Sequence, residues 1–132
     1  MCNVRKRYWH DNVYFDSAPE LAYYIWLVEN NVDFKYQPDV VFYYKHNEVV
    51  HSYEPDFIVE GQFIEIKGDH FFKEDGTMQN PFDHSQDALY EAKHRCMVDN
   101  NVKILRSADY AKYMQYVVDV HGKNYLKSFK QF

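Results

Sequence analysis

Glu60-Gly61 constrains this chain more than any other pair of residues, because strand-like runs lie on both sides of it. Val49 to Val59 and Gln62 to Lys67 read as two antiparallel strands joined by a tight turn. With that pair as the turn, Val59 faces Gln62, Ile58 faces Phe63, Phe57 faces Ile64 and Asp56 faces Glu65. Residues directly opposed in an antiparallel pair have Cβ atoms roughly 4.5–5.5 Å apart. Lys67, two positions beyond Glu65, projects from the same face, and Glu54 falls opposite Lys67. Any symmetric even-length loop centred on Glu60-Gly61 keeps this register, whereas a one-residue slip or a bulge turns one acid to the other face.

Three acids and a lysine on one face, flanked by Ile58 and Phe63, need something positive between the carboxylates, since like charges directly opposed destabilise a sheet. Hard oxygen ligands suit Mg²⁺ or Mn²⁺ rather than zinc, which favours Cys and His. Mg²⁺ commonly takes one or two protein carboxylates and keeps waters or phosphate oxygens for the rest of its shell. A neighbouring ammonium can then orient a water or stabilise charge on a phosphoryl group. Such parts suit phosphodiester hydrolysis.

Around the hairpin, Ser17-Ala18-Pro19-Glu20 opens a helix with a Ser cap, an early Pro and a capping-box Glu. Leu21, Tyr24, Ile25 and Val28 follow helical spacing as its buried stripe, and Asn30-Asn31 ends it. Phe34 to Tyr44 reads as a strand bent at Pro38. Gly68 to Asp83 reads as a loop long enough to be functional or mobile, with His70 and His84 beside its ends. A second helix spans His84 to Asn100, a short strand Val102 to Leu105, and a third helix runs from Ser107 to Gly122. The crossover helix favours a parallel neighbour for the last strand while the hairpin is antiparallel. The expected class is therefore α/β, a mixed sheet with flanking helices in the order helix-strand-strand-strand-helix-strand.

Glu20, Pro55-Asp56 and Glu65-Ile66-Lys67-Gly68 together resemble the PD-(D/E)XK nuclease superfamily, most nearly its small phage junction-resolving endonucleases. The resemblance covers about Phe15 to Leu105 and implies a restriction-endonuclease-like core. It further implies that Asp56, Glu65 and the Ile66 carbonyl hold the metal, that Lys67 orients or activates the attacking water, and that Glu20 supports a second metal or a metal-bound water. Lys93, on the following helix, sits where some members place an accessory basic residue. The implied product is DNA cut to a 5′-phosphate and a 3′-hydroxyl, by an enzyme of a phage or mobile element.

Plainer roles compete at each position. Glu20 serves the capping box, Lys67 could simply pair with Glu54, Asp56 could merely start a strand, and Lys93 could be an exposed helix residue. A non-catalytic module of the same fold, binding nucleic acid or a partner, is the competing function. The net charge of −5 favours it, since nonspecific DNA binding rests on Lys and Arg at phosphates. The basic residues fall in clusters: Arg5, Lys6 and Arg7; Lys93 and Arg95; Lys103 and Arg106; Lys123, Lys127 and Lys130.

The 132 residues, 46% hydrophobic, fit a single domain with a sizeable core, expected over 1–132. Cys2 and Cys96 form neither a disulfide framework nor a metal-ligand pair, so an intracellular, cytoplasmic setting in a bacterium or phage-infected cell is expected. No run approaches the roughly 20 apolar residues of a membrane span, and no apolar segment follows the basic start, so no membrane partner is expected. One such site breaks one strand. Double-strand or junction cutting therefore calls for a homodimer, with the Tyr-rich third helix as its expected interface.

Overall fold

The computed structural model describes residues 7–131; Cys2, Arg5 and Lys6 lie outside the described residues. In chain order the elements are β1 (Tyr8–His10), β2 (Val13–Phe15), α1 (Ala18–Glu29), β3 (Phe34–Tyr36), β4 (Phe42–His46), β5 (Val49–Tyr53), β6 (Phe57–Val59), β7 (Gln62–Ile66), α2 (Asp87–Asp99), β8 (Lys103–Leu105) and α3 (Ser107–His121). Short 3₁₀ turns cover Asp69–Phe71, His84–Gln86 and Leu126–Phe129. The fold is mixed α/β. It divides into two compact units, one taking the chain up to Val32 and from Ala108 onward, the other Asp33–Ser107.

In the first unit β1 and β2 pair antiparallel around Asp11-Asn12, whose φ angles of 54° and 62° suit a two-residue hairpin turn. Ser17 caps α1, accepting from the Glu20 N–H at 3.4 Å. The helix ends at Asn30, and Asn31 takes φ 55° to turn the chain. The buried side chains of α1 are Leu21, Ala22, Tyr23, Ile25 and Leu27, which corrects the expected stripe. Val28 is exposed, and Tyr24 is half-buried with its hydroxyl donating to Asp11 Oδ2 at 2.6 Å. The inward face is rotated because α1 packs on α3, with Tyr113 set 4.7 Å from Tyr23 and 4.9 Å from Trp26.

The second unit contains a four-stranded sheet in the order β3-β6-β7-β8, with β7 and β8 parallel and the other pairs antiparallel. The parallel pair follows from the crossover through α2, as expected. Strands β4 and β5 form a separate two-stranded sheet. Val49 to Val59 is therefore two strands rather than one, and Phe34 to Tyr44 is likewise divided. The reason is proline in both places. Pro38 and Pro55 have no N–H for a ladder, so the chain leaves one sheet there and enters another.

Gly68 to Asp83 is folded rather than structureless. Phe72 bridges Met78, and the Lys73 N–H donates to the Thr77 carbonyl at 2.8 Å across the Asp75-Gly76 turn. Met78 is fully buried and joins Tyr53, Phe72, Cys96 and Met97 in one core cluster. Phe42, Tyr44, Phe71, Tyr90 and Ile104 pack around it, so α2, the β4–β5 ribbon and the loop share a single apolar centre.

Candidate functional site

The β6–β7 register is the one that the turn dictates: Val59 with Gln62, Ile58 with Phe63, Phe57 with Ile64. Glu60 and Gly61 have φ angles of 48° and 83°, as a two-residue turn of the I′ kind requires. Asp56 and Glu65 lie one position beyond the last regular pair, where the Ile66 N–H donates to Asp56 Oδ2. The regular pairing stops at Phe57 and Ile64, so the expected Glu54–Lys67 opposition does not form. Glu54 is exposed, and the Lys67 N–H donates to the Leu105 carbonyl at 3.1 Å, continuing the parallel β7–β8 ladder.

Hydrogen-bonded pairs alternate along an antiparallel ladder, and beyond Val59–Gln62 and Phe57–Ile64 the next would be Pro55–Ile66. Pro55 is fully buried and has no N–H, so this position brings no donor to the Ile66 carbonyl. The Ile66 N–H donates to Asp56 Oδ2 at 2.8 Å. The proline thus leaves a backbone oxygen without a ladder donor, and the aspartate beside it takes the matching N–H.

Glu65 is only 5% exposed, the sole buried charged residue among the described residues. Its Oε1 accepts from the Tyr53 hydroxyl at 2.7 Å. Burial pushes its carboxyl above the usual range, while Lys67, the Tyr53 hydroxyl and Lys93 pull it back. Burial against the same acid raises the Tyr53 phenol. Lys93 is half-buried on α2, and burial and then the Lys67 charge lower its ammonium, against the opposite pull of Glu65 and Asp56. Its Nζ lies 5.7 Å from the Tyr53 ring and 5.9 Å from the Tyr90 ring. Lys67 Nζ sits 4.4 Å from the Phe71 ring, a cation–π contact.

Asp56, Glu65, Lys67 and Lys93 therefore come together in the second unit. Lys93 belongs to the charged cluster and is not an ordinary exposed helix residue. Glu20 belongs to the first unit, where its Oε1 accepts from the hydroxyl of the capping Ser17 at 3.2 Å. Sequence reasoning missed Tyr53, the direct partner of Glu65, and Phe71, the ring beneath Lys67. The available signal for Tyr53 was its place at the end of the strand leading into Pro55-Asp56. Phe71 had none beyond adjacency to the Glu65-Ile66-Lys67 segment.

The oxygen donors that could hold a cation are two carboxylates and one carbonyl. Among the described residues no three His, Cys, Asp or Glu side chains converge as a metal-binding group. Among the described residues, no helix is long and apolar enough to cross a membrane. No protein-family model matches the chain, and neither a curated protein nor a solved structure shows significant similarity to it.

Proposed function

We propose that this cluster is the centre of a divalent-metal-dependent endodeoxyribonuclease of the PD-(D/E)XK kind, on a restriction-endonuclease-like core. The observation that carries this reading is local. Pro55 withholds a donor from the Ile66 carbonyl, Asp56 accepts from the Ile66 N–H, and the buried Glu65, the preceding residue, feels the Lys67 ammonium. Two carboxylates and a carbonyl fit Mg²⁺ or Mn²⁺, which complete their shells with water and phosphate oxygens. Asp56, Glu65 and the Ile66 carbonyl would hold the ion. When bound, the ion would polarise a phosphoryl oxygen and make a bound water more acidic.

The remaining work falls to side chains of the chain itself. Lys67 orients the attacking water and offsets charge that builds on the phosphoryl oxygens. Lys93 places a second ammonium near Glu65 and disfavours its protonation. Tyr53 holds the Glu65 carboxylate in one orientation through its hydroxyl. In the reaction the water oxygen bonds to phosphorus, the bond from phosphorus to the 3′ oxygen breaks, and that oxygen leaves as a hydroxyl beside a 5′-phosphate. The same reading carries DNA as substrate, a homodimer for two-strand cutting, and an intracellular role in a phage or mobile element.

A second reading is favoured by charge balance. Two acids and two lysines already neutralise one another, which suits a non-catalytic module binding nucleic acid or a partner. Incubating branched, nicked, single-stranded and duplex DNA, and RNA alongside, with Mg²⁺ or Mn²⁺ separates the readings. The nuclease reading expects DNA cleavage that Asp56→Ala abolishes. Binding without cleavage in any metal, and no heat of metal binding by calorimetry, would select the module.

A further inference from the structure

Beside the charged cluster, the folded loop carries an aromatic ladder that the proposed chemistry does not use. Phe82 is 81% exposed, more than any other large apolar side chain among the described residues. Its ring lies 6.0 Å from Phe71 and 6.0 Å from His70, which is itself exposed. Phe71 stacks parallel to Tyr90 at 6.3 Å and carries the Lys67 ammonium over its face at 4.4 Å. A single ring thus separates the exposed Phe82 from Lys67.

The loop also holds Phe82 out in the open. Asn80 Oδ1 accepts from the Phe82 and Asp83 N–H groups at 2.9 and 3.2 Å, and the Asn80 N–H donates to Asp87 Oδ1 at 2.8 Å. A phenylalanine presented in this way keeps its apolar surface in water, a cost that covering by a flat apolar partner removes. Ammonium groups at one end and bare ring faces at the other match the two halves of a nucleotide, a phosphate and a base. A base freed from its duplex partner can lay its face on such a ring without unstacking a duplex step, as in single-strand recognition.

We propose that Phe82, with His70, forms a stacking platform for an unpaired base next to the phosphate held at Lys67 and Lys93, so that the site selects DNA with unpaired nucleotides over continuous duplex. This rests on the nuclease reading and adds the substrate class to it. Phe82 is a specificity-determining residue here, and its exposure leaves the fold unaffected by its removal.

The test compares the full-length parent with Phe82→Ala and Phe82→Trp. Fluorescence anisotropy in EDTA follows binding to a plain duplex and to the same duplex with a short single-stranded gap. Cleavage of both in Mg²⁺ is measured in parallel. The expected result is a loss of about tenfold or more in gapped-DNA affinity for Phe82→Ala, equivalent to ~1.4 kcal/mol and in line with a modest base–aromatic stack. Plain-duplex binding should change by less than about twofold, and Phe82→Trp should restore the preference. Equal affinity of Phe82→Ala and parent for gapped DNA, with the parent still cleaving, overturns the platform and leaves the nuclease standing. No cleavage by the parent, with the gap preference intact and sensitive to Phe82, overturns the nuclease and keeps the platform. A parent that neither binds nor cleaves either DNA overturns both and leaves Phe82 to a protein partner.

Discussion

The hairpins β4–β5 and β6–β7 turn the chain in the same way, through Asn47-Glu48 and Glu60-Gly61, with positive φ at all four residues. Their strands meet different surroundings. β6–β7 is flanked on both sides, by β3 and by β8, whereas β4–β5 stands as a two-stranded ribbon. Both hairpins hold acids and lysines. In the ribbon, Lys45 and Glu48 pair at 3.5 Å with 63% and 92% of their side chains exposed, a contact worth about 0–1 kcal/mol. In the sheet, Glu65 is 5% exposed and must find its partners in Tyr53, Lys67 and Lys93. The turn sets the register, and burial decides whether the charges on it have chemical consequences.

If that contrast is right, the largest effects lie at the buried hairpin. Lys67→Ala should lower cleavage by about 10²–10³-fold, the usual loss for one preorganised electrostatic group. Lys45→Ala, a lysine from the ribbon, should leave the rate unchanged. Single-turnover rates on one branched substrate compare the two directly. Equal rates for Lys67→Ala and the parent would end the catalytic account of β6–β7.

Next in size is the linkage between pH, metal and stability. Burial raises the Glu65 pKa in the folded chain above its unfolded value. Its contribution is therefore fully present below the unfolded carboxyl range and is lost as pH rises through the folded value. Lys93, with a lowered folded pKa, runs the other way, and its contribution is lost as pH falls through that value. Glu65→Gln keeps an oxygen acceptor for Tyr53 and removes the carboxyl titration. Thermal melts should thus show Glu65→Gln gaining on the parent as pH rises from acid, by a few degrees, with the gap closed in acid. Saturating Mg²⁺ should reverse the order, since a ligand at ~100 times its Kd stabilises by about 2.7 kcal/mol and only the parent holds it well. A pH-independent gap would show that Glu65 is not burdened by its burial.

The same contrast explains how much of the molecule was legible in the sequence. Glu60-Gly61 fixed the pairing of Phe57 to Val59 with Gln62 to Ile64, because a period of two leaves a strand no intermediate choice. The Ser17 cap and the Asn30-Asn31 stop framed α1, since helix ends are satisfied by local chemistry. The division at Pro55 was harder to read. Val49–Val59 has strand-forming residues throughout, and only the two-sheet arrangement shows that Tyr53 and Phe57 pair with different neighbours. Lys93 could be named from the resemblance but its burial could not, because that depends on the core that Met78 and Phe72 complete from a distant loop. Tyr53 was illegible as a site residue for the same reason. Its hydroxyl acquires a role only once the sheet brings Glu65 to it.

Tyr53→Phe probes that last contact and is the next effect down. Removing the hydroxyl leaves a buried Glu65 oxygen without its donor, at a cost of about 1–3 kcal/mol. The lost hydrogen bond had favoured the charged carboxylate, so the Glu65 pKa should rise further. Mg²⁺ affinity, followed by calorimetry across pH, should consequently fall off at a higher pH in Tyr53→Phe than in the parent. An unshifted profile would mean that Lys67 and Lys93 alone set the charge of Glu65.

The smallest expected effect is at the ribbon. Glu48→Ala removes an exposed partner of Lys45, and surface changes away from special features usually stay within about ±0.5 kcal/mol. Cleavage, metal affinity and the pH dependence of melting should all match the parent. This near-null result has a sharp use. Glu48 and Glu60 both occupy positive-φ turn positions, so a large effect at Glu48 would show that the turn itself, rather than burial of the strand beyond it, carries the difference between the hairpins. A silent Glu48→Ala beside a strongly altered Glu65→Gln would place that difference in the buried strand, where a carboxylate gives up water and depends on what the fold supplies instead.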